Sequence, residues 1–303
     1  SDLDGNNGFR LDGVSAYARL GLSVSNAGDV NGDGFDDVIV GAYGADPNNG
    51  ELSGSSYVVF GKASGFNATM NLSVLDGSNG FRLDGEAAGD MSGISVSNAG
   101  DVNGDGFDDV IVGAAGADPN GNSSGSSYVV FGKASGFSAT LEFSSLDGSN
   151  GFRLDGVAWL DHSGFSVSSA GDVNGDGFDD LIVGAERADP NGSFSGSSYV
   201  VFGKASGFSA TLELSSLDGS NGFRLDGVTV GDRSGSSVSN AGDVNGDGFD
   251  DLIVSAPSSG SSYVVFGKAS GFSATLELSH LIGSNGFRLD GVTAGDFSGS
   301  SVS

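Results

Sequence analysis

The chain has 303 residues and a formal net charge of −27, from 39 acidic and 12 basic side chains. This balance argues against nucleic acid and anionic membranes as partners, because both are bound through basic surfaces. There is no cysteine, and no apolar run reaches the roughly 18–20 residues that cross a bilayer. The first residues do not resemble a signal peptide, so a secretion signal would lie outside this sequence.

The chain opens with a predicted strand at Gly8–Gly13, and four strand-like segments then recur every 71 or 72 residues. The first segment precedes an Asp/Asn/Gly loop and the second leaves it. The third reads Ser-Ser-Tyr-Val-Val-Phe-Gly and the fourth Gly-Phe-Arg-Leu-Asp-Gly. In the first period they are Leu22–Ser25, Val38–Val40, Ser55–Gly61 and Gly80–Gly85. Later first segments are Ile94–Ser97, Phe165–Ser168, Ser236–Ser239 and, at the end of the chain, Gly299–Ser303.

The apolar pattern of these segments predicts an all-β fold. The second and third are unbroken β-branched and aromatic runs, which favours strands buried on both faces. The fourth alternates, with Phe81 and Leu83 on one face and a structural pair of Arg82 and Asp84 on the other, as expected of an outer strand with one wet side. We therefore predict a β-propeller of four-stranded antiparallel blades with very little helix, and an open solenoid is the rival.

The loop between the first and second strands has the composition of a calcium site. Asp29–Asp37 reads Asp-Val-Asn-Gly-Asp-Gly-Phe-Asp-Asp, and identical copies begin at Asp101, Asp172 and Asp243. Oxygen-bearing side chains stand at positions 1, 3, 5 and 9, and Gly at position 6 permits a sharp turn. Ca²⁺ takes about six to eight oxygen ligands, so we predict four calcium sites. A solvated turn would use the same residue types, but it does not explain why three of the predicted ligands crowded into nine residues are carboxylates.

The predicted calcium ligands are the side chains at positions 1, 3, 5 and 9 and the backbone carbonyl at position 7. They are Asp29, Asn31, Asp33, Phe35 and Asp37; Asp101, Asn103, Asp105, Phe107 and Asp109; Asp172, Asn174, Asp176, Phe178 and Asp180; and Asp243, Asn245, Asp247, Phe249 and Asp251.

The run from Gly93 to Ala114 resembles the FG-GAP repeat of integrin α-subunit propellers and their bacterial relatives. The calcium loop carries most of this resemblance, which covers nearly the whole chain. The family's Phe-Gly is replaced, as at Ser92-Gly93, and its Gly-Ala-Pro keeps the proline only in Ser255-Ala256-Pro257. The resemblance implies a calcium-stabilised extracellular or cell-surface propeller that binds partners opposite the calcium loops.

The repeats predict a single propeller, or part of one, across residues 1–303. We expect an outer strand in 1–20, blades at 21–92, 93–163, 164–234 and 235–297, and the first strand of an incomplete blade in 298–303. The resemblance implies about seven blades, which at this period would need about 500 residues. We therefore expect part of a longer array, with a small closed ring as the alternative.

The sequence offers no catalytic constellation, so we expect a protein that is not an enzyme. His162 and His280 stand at non-equivalent positions, and neither sits beside a plausible serine nucleophile with an orienting carboxylate. The segments starting at Asp232 and Asp296 match Asp-x-Ser-x-Ser, the start of an adhesion-type Mg²⁺ site. Two other repeats break that pattern, and we do not expect a metal there.

One end of the repeats varies, whereas the calcium-loop end is nearly invariant. Aromatic and arginine side chains on loops above a rigid scaffold favour recognition, although unconstrained drift predicts the same variability. The variable residues are Tyr17, Arg19, Tyr43, Trp159, His162, Arg187, Phe194, Arg233 and Phe297.

We expect these variable residues to bind an extracellular protein or polysaccharide, in adhesion or recognition. Two alternatives stay open at this point. The chain could be a filament or surface-layer subunit that self-assembles through its end strands, or an accessory module of a larger secreted enzyme.

Overall fold

The structure is a computed structural model that describes residues 2–47, 50–293 and 297–303. Within these ranges the chain is all-β, with 21 strands, and its helical elements are four single 3₁₀ turns. The strands form four similar sheets of four or five strands and one two-stranded sheet. None of the helical turns in the described part is long or apolar enough to span a bilayer.

Each repeat contributes four strands that pair antiparallel in chain order, as predicted. The first strands end at the glycine before the loop, three residues later than predicted in the first repeat. They are β2 (Val24–Gly28), β7 (Ser95–Gly100), β12 (Ser163–Gly171) and β17 (Val238–Gly242). The second strands are β3 (Asp37–Ala42), β8 (Asp109–Ala114), β13 (Asp180–Ala185) and β18 (Asp251–Ala256). The third are β4 (Ser55–Val59), β9 (Ser126–Val130), β14 (Ser197–Val201) and β19 (Ser261–Val265). The fourth are β6 (Gly80–Asp84), β11 (Gly151–Asp155), β16 (Gly222–Asp226) and β21 (Gly286–Asp290).

A fifth strand, absent from the prediction, lies in each connection between the third and fourth strands. Each is followed by a 3₁₀ turn, as at Leu72–Val74, and each pairs in parallel with the outer strand of the preceding repeat, as Thr140 does opposite Arg82. The first of them pairs in the same way with the opening strand β1 (Arg10–Asp12). The fifth strands are β5 (Thr69–Asn71), β10 (Thr140–Glu142), β15 (Thr211–Glu213) and β20 (Thr275–Glu277).

This added strand corrects the prediction of an outer strand with one wet side. β10 covers β6, so Asp84 is only 1% exposed, although its predicted ion pair with Arg82 is present at 2.6 Å. Among the described residues only β21 lacks such a cover. Leu289 and Asp290 are accordingly exposed, whereas their counterparts in the earlier repeats are buried.

The hydrophobic core lies between consecutive sheets. Ile39, Phe81 and Leu83 of the first repeat are fully buried in one cluster with Val112 and Tyr128 of the second. The second and third repeats, and the third and fourth, are joined by equivalent clusters. As predicted, the second and third strands are buried on both faces, apart from Val38, which is 37% exposed, and Ile253, which is half-buried. Each repeat therefore depends on its neighbours for burial, as in other repeat proteins.

The strand predicted at Gly299–Ser303 is not a strand in the described residues. This segment nevertheless contacts the fourth repeat where the first strand of a following repeat would lie. Val302 N–H donates to Ser237 Oγ at 3.1 Å. The same bond joins Val96 N–H to Ser23 Oγ at 2.9 Å between the first two repeats.

Candidate metal centre

The loop Asp29–Asp37 is held in shape by its own side chains. Asp29 accepts hydrogen bonds from the N–H groups of Asp33 and Gly34 at 2.9 and 2.8 Å. Asn31 Oδ1 also accepts from Asp33 N–H at 2.9 Å, and Asp33 Oδ1 accepts from Phe35 N–H at 3.0 Å. Gly34 has a φ of 88°, a backbone conformation that side chains other than glycine rarely adopt. The side-chain oxygens at positions 1, 3 and 5 therefore all face the inside of one tight turn.

The carboxylate at position 9 lies beneath this turn. Asp37 is 1% exposed, and its two oxygens accept from Val30 N–H at 3.1 Å and Gly61 N–H at 2.8 Å. These bonds tie the loop to the connection that follows the third strand. The other three copies have the same bonds, as Asp109 shows with Val102 and Gly132 at 3.1 and 2.9 Å.

Negative charge in these loops has no counter-charge from the protein. None of the ion pairs among the described residues includes a loop carboxylate. Burial, together with the nearby carboxylates of Asp33 and Asp29, raises the pKa of Asp37 to about 7. For the same reasons the pKa values of Asp109 and Asp180 rise to about 8. A cation would offset this accumulated charge.

The donor set fits calcium in its chemistry, because every predicted ligand is an oxygen and the uncompensated carboxylates favour a hard divalent cation. The described residues contain no group of three or more His, Cys, Asp or Glu side chains gathered closely enough to hold a metal ion.

Successive loops are in contact, which the sequence reasoning missed. Asp108, at position 8 of the second loop, accepts a hydrogen bond from Asp29 N–H in the first loop at 2.8 Å. The available signal was that Asp at position 8 is repeated in all four copies although it is not one of the predicted ligands.

The structure places the variable residues on the connections opposite the candidate metal loops, where adjoining connections contact one another. Met91 N–H donates to Leu52 O at 2.9 Å, and Arg233 N–H donates to Phe194 O at 3.0 Å. Several of the predicted ligand-face residues are well exposed: Tyr17 at 91%, Trp159 at 65% and Phe194 at 39%.

Five of the nine variable residues are joined by side-chain contacts into two groups. In the first repeat, Arg19 donates to the Tyr43 hydroxyl and its guanidinium lies 5.0 Å from the Tyr43 ring centroid. In the second group, Arg187 Nη1 lies 3.4 Å from His162 Nε2. Burial and the adjacent Arg187 lower the pKa of His162, so this imidazole is predominantly neutral at pH 7.

Glu186 organises the second group and was not predicted. Its carboxylate is buried, 3.5 Å from Arg187 Nε and 3.7 Å from Arg233 Nη1, and it accepts from Ser236 Oγ at 3.2 Å. The equivalent positions in the other repeats hold Tyr43, Ala115 and Pro257. The presence of an acidic residue at this position in one repeat alone was the sequence signal for a special role of Glu186.

Many of the variable residues have a left-handed backbone conformation, with a positive φ. One position, occupied by Arg19, Met91, His162, Arg233 and Phe297, has φ values from 52° to 57°. A second position, occupied by Leu52, Ser123 and Phe194, has φ values from 50° to 58°. Such a conformation costs a residue other than glycine about 1 kcal/mol. The chain contains 55 glycines but places none at these positions, so side chains are kept there in spite of the strain.

The Asp-x-Ser-x-Ser motif has a local structural role. Asp232 Oδ2 accepts from Thr229 N–H at 3.1 Å, and Asp90 and Asp161 make the same turn with Ala87 and Ala158 in repeats that lack the motif. Asp296, which begins the second copy of the motif, lies outside the described residues. His280 is exposed and ends the 3₁₀ turn Leu278–His280, whose first residue is buried.

The family model described as FG-GAP repeat matches residues 20–59, 92–130, 163–201 and 234–270, together about half of the chain. The chain belongs to the FG-GAP repeat family. Each of the four matched segments covers the first three strands of one of the four larger sheets.

Integrin α-subunits are similar to this FG-GAP chain in sequence. Integrin alpha-4 of Xenopus laevis is 35% identical over 107 residues, which is 35% of this chain and 9% of that protein. Integrin alpha-V of Gallus gallus is 34% identical over 110 residues, 36% of this chain and 10% of that protein. Integrin alpha-PS2 of Drosophila melanogaster is 29% identical over 214 residues, 69% of this chain and 14% of that protein. The chain thus spans a small part of the length of these relatives.

Proposed function

We propose that this chain is a calcium-stabilised β-propeller, or part of one, that acts outside the cell in adhesion or recognition of protein or polysaccharide. Its role is non-enzymatic, and each calcium ion is structural: it neutralises one loop and fixes the hairpin between first and second strands. The ligands are those predicted at positions 1, 3, 5, 7 and 9 of each loop. The division into blades at 21–92, 93–163, 164–234 and 235–297 is part of this proposal.

The observation that carries the recognition role is the contrast between the two ends of the repeats. At the calcium-loop end the four copies share one sequence and one hydrogen-bond pattern. At the opposite end the side chains differ, and several occupy strained backbone positions that glycine would occupy at lower cost. Backbone strain at residues other than glycine is typical of functional sites, where the side chain contributes to binding.

The group around Glu186 suits a polar ligand. Arg187 and Arg233 share one buried carboxylate, which leaves guanidinium N–H groups for an acidic or hydroxyl-rich partner. The Trp159 ring, which is 65% exposed, offers the flat apolar surface that aromatic residues supply at binding sites.

A glycan array and a panel of immobilised extracellular proteins test this proposal. We expect Trp159→Ala and Arg187→Ala to weaken binding at least about tenfold, in line with the loss of a binding hot spot. Lys204→Ala is the matched control, because Lys204 lies over the Phe208 ring at the invariant end and should not affect binding. Absence of binding by the intact chain, or equal binding by all four proteins, contradicts the recognition role.

A second candidate, self-assembly, is favoured by the free edge of β21. In the described chain β6, β11 and β16 are each covered by a parallel strand, whereas β21 is not. Unpaired strand edges are sites of association. Light scattering at several protein concentrations, with and without Ca²⁺, tests it: growth of assemblies supports this candidate, and a monodisperse monomer under both conditions contradicts it.

A further inference from the structure

The carboxylate at position 8 of the second, third and fourth calcium loops joins each of them to the preceding loop. Asp29 N–H donates to Asp108 Oδ2 at 2.8 Å, and the same bond recurs between the next two pairs of loops. Asp101 N–H donates to Asp179 Oδ2 at 2.8 Å, and Asp172 N–H donates to Asp250 Oδ2 at 2.9 Å. Position 8 is not one of the proposed calcium ligands, so this carboxylate is free to serve the neighbouring loop.

A ring contact and a backbone bond strengthen the same junction. The Phe107 ring lies so close to Gly32 that a Cβ added there would meet it at 2.3 Å. Lys133 N–H donates to Val30 O at 2.9 Å. Both contacts recur at the next two junctions, with Phe178 on Gly104, Phe249 on Gly175, Lys204 bonded to Val102 and Lys268 bonded to Val173.

We propose that Asp108, Asp179 and Asp250 couple calcium binding between successive loops. This inference rests on the proposed calcium role of the loops. An ion in the second loop engages the Phe107 carbonyl and Asp109, so it orders the segment that contains Asp108 and the Phe107 ring. That segment in turn holds Asp29 N–H and Gly32, at the start and middle of the first loop. Ordering one loop therefore lowers the entropic cost of ordering its neighbour, which gives positive cooperativity.

The first and the fourth of the four successive loops supply internal controls. Asp36, at position 8 of the first loop, is exposed, since no earlier loop in the described chain lies against it. In the fourth loop nothing lies within 4 Å of a Cβ added to Gly246. Val244 there is 51% exposed, whereas the equivalent Val30 is fully buried. The first and fourth loops are thus each joined to one neighbour, and the second and third to two.

Site-resolved calcium titration tests the coupling. The ¹⁵N–¹H signal of Gly34, whose N–H donates to Asp29, reports the first loop. Asp105→Ala removes a ligand from the second loop, and we expect it to weaken binding at the unchanged first loop about five- to twentyfold. Asp108→Ala should weaken the first loop similarly, and adding Asp105→Ala to it should then cause no further loss there.

Two further variants separate coupling from general damage. Asp108→Asn keeps an acceptor oxygen and should restore most of the coupling, whereas Asp36→Ala should leave the second, third and fourth loops at their wild-type affinities. If calcium binds but Asp105→Ala leaves the first loop unchanged, or still weakens it in the Asp108→Ala background, the coupling is refuted while the calcium role stands. If the wild-type chain shows no calcium-dependent signal, the calcium role and the coupling are both refuted.

Discussion

The packing between repeats predicts that equivalent phenylalanines differ sharply in their contribution to stability. Phe152 is 1% exposed, and its ring stacks on Phe208 of the next repeat with centroids 4.8 Å apart and planes at 15°. It also meets Phe131 at 5.9 Å. Replacing such a buried ring with alanine removes its burial and leaves a cavity, so Phe152→Ala should lower the free energy of unfolding by about 3–5 kcal/mol.

Phe287 is the matched control for this substitution. It occupies the same strand position in the fourth repeat but is half-buried, and the ring contact described for it is with Phe266 at 5.9 Å. Because less apolar surface is buried there, Phe287→Ala should cost about 1–2 kcal/mol. Urea unfolding followed by circular dichroism, in saturating calcium, measures both variants. Equal destabilisation by the two would refute the account of the core as a set of interfaces between consecutive repeats.

Two other predictions follow from buried carboxylates. Asp226 is buried and bonded to Arg224 and Ser197 at 2.7 and 2.9 Å, so Asp226→Ala should lower the free energy of unfolding by about 3 kcal/mol. The equivalent Asp290 is 55% exposed beside Arg288, and Asp290→Ala should cost less than about 1 kcal/mol in the same urea assay; a similar loss for both would contradict the covering role of the fifth strand. Burial raises the pKa of Asp161 from 3.8 to about 6, so the folded state binds its proton more tightly than the unfolded state, and stability from this group falls as pH rises from about 4 to 6. Asp161→Asn should therefore be more stable than the wild type at pH 7.5 but not at pH 4, and a constant difference across thermal melts at both pH values would contradict this.

Much of the fold follows from local patterns in the sequence. Val38–Val40 and Ser55–Gly61 are dense in β-branched and aromatic residues, and the structure buries Ile39, Val40 and Ser55–Val59, whereas Val38 is 37% exposed. The Arg82–Asp84 pair was predictable because residues two apart in a strand share a face. Repetition with a fixed period then predicted four similar sheets, because each copy has the same strand signals.

The fifth strand could not be predicted in this way. Thr140–Glu142 is only three residues long and pairs with Arg82–Asp84 of the preceding repeat, so its signal is a distant contact rather than a local pattern. The burial of Asp84 depends on that strand and was missed for the same reason. In the candidate site, the turn residues predicted the loop, whereas the role of Asp108 depends on how neighbouring repeats are placed. Glu186 likewise gains its importance from Arg187 and from Arg233, which belongs to the next repeat.

Calorimetry with and without calcium tests the central claim most directly. Extracellular sites of this kind bind at about 10⁻⁴–10⁻³ M, so about 10 mM Ca²⁺ should saturate the loops. Ligand binding to the folded state adds stability by mass action, so scanning calorimetry should show a Tm that rises with Ca²⁺ and falls in excess chelator. A variant with Asp33, Asp105, Asp176 and Asp247 all changed to alanine should lose this dependence. An unchanged wild-type Tm between excess chelator and saturating Ca²⁺ would contradict the account.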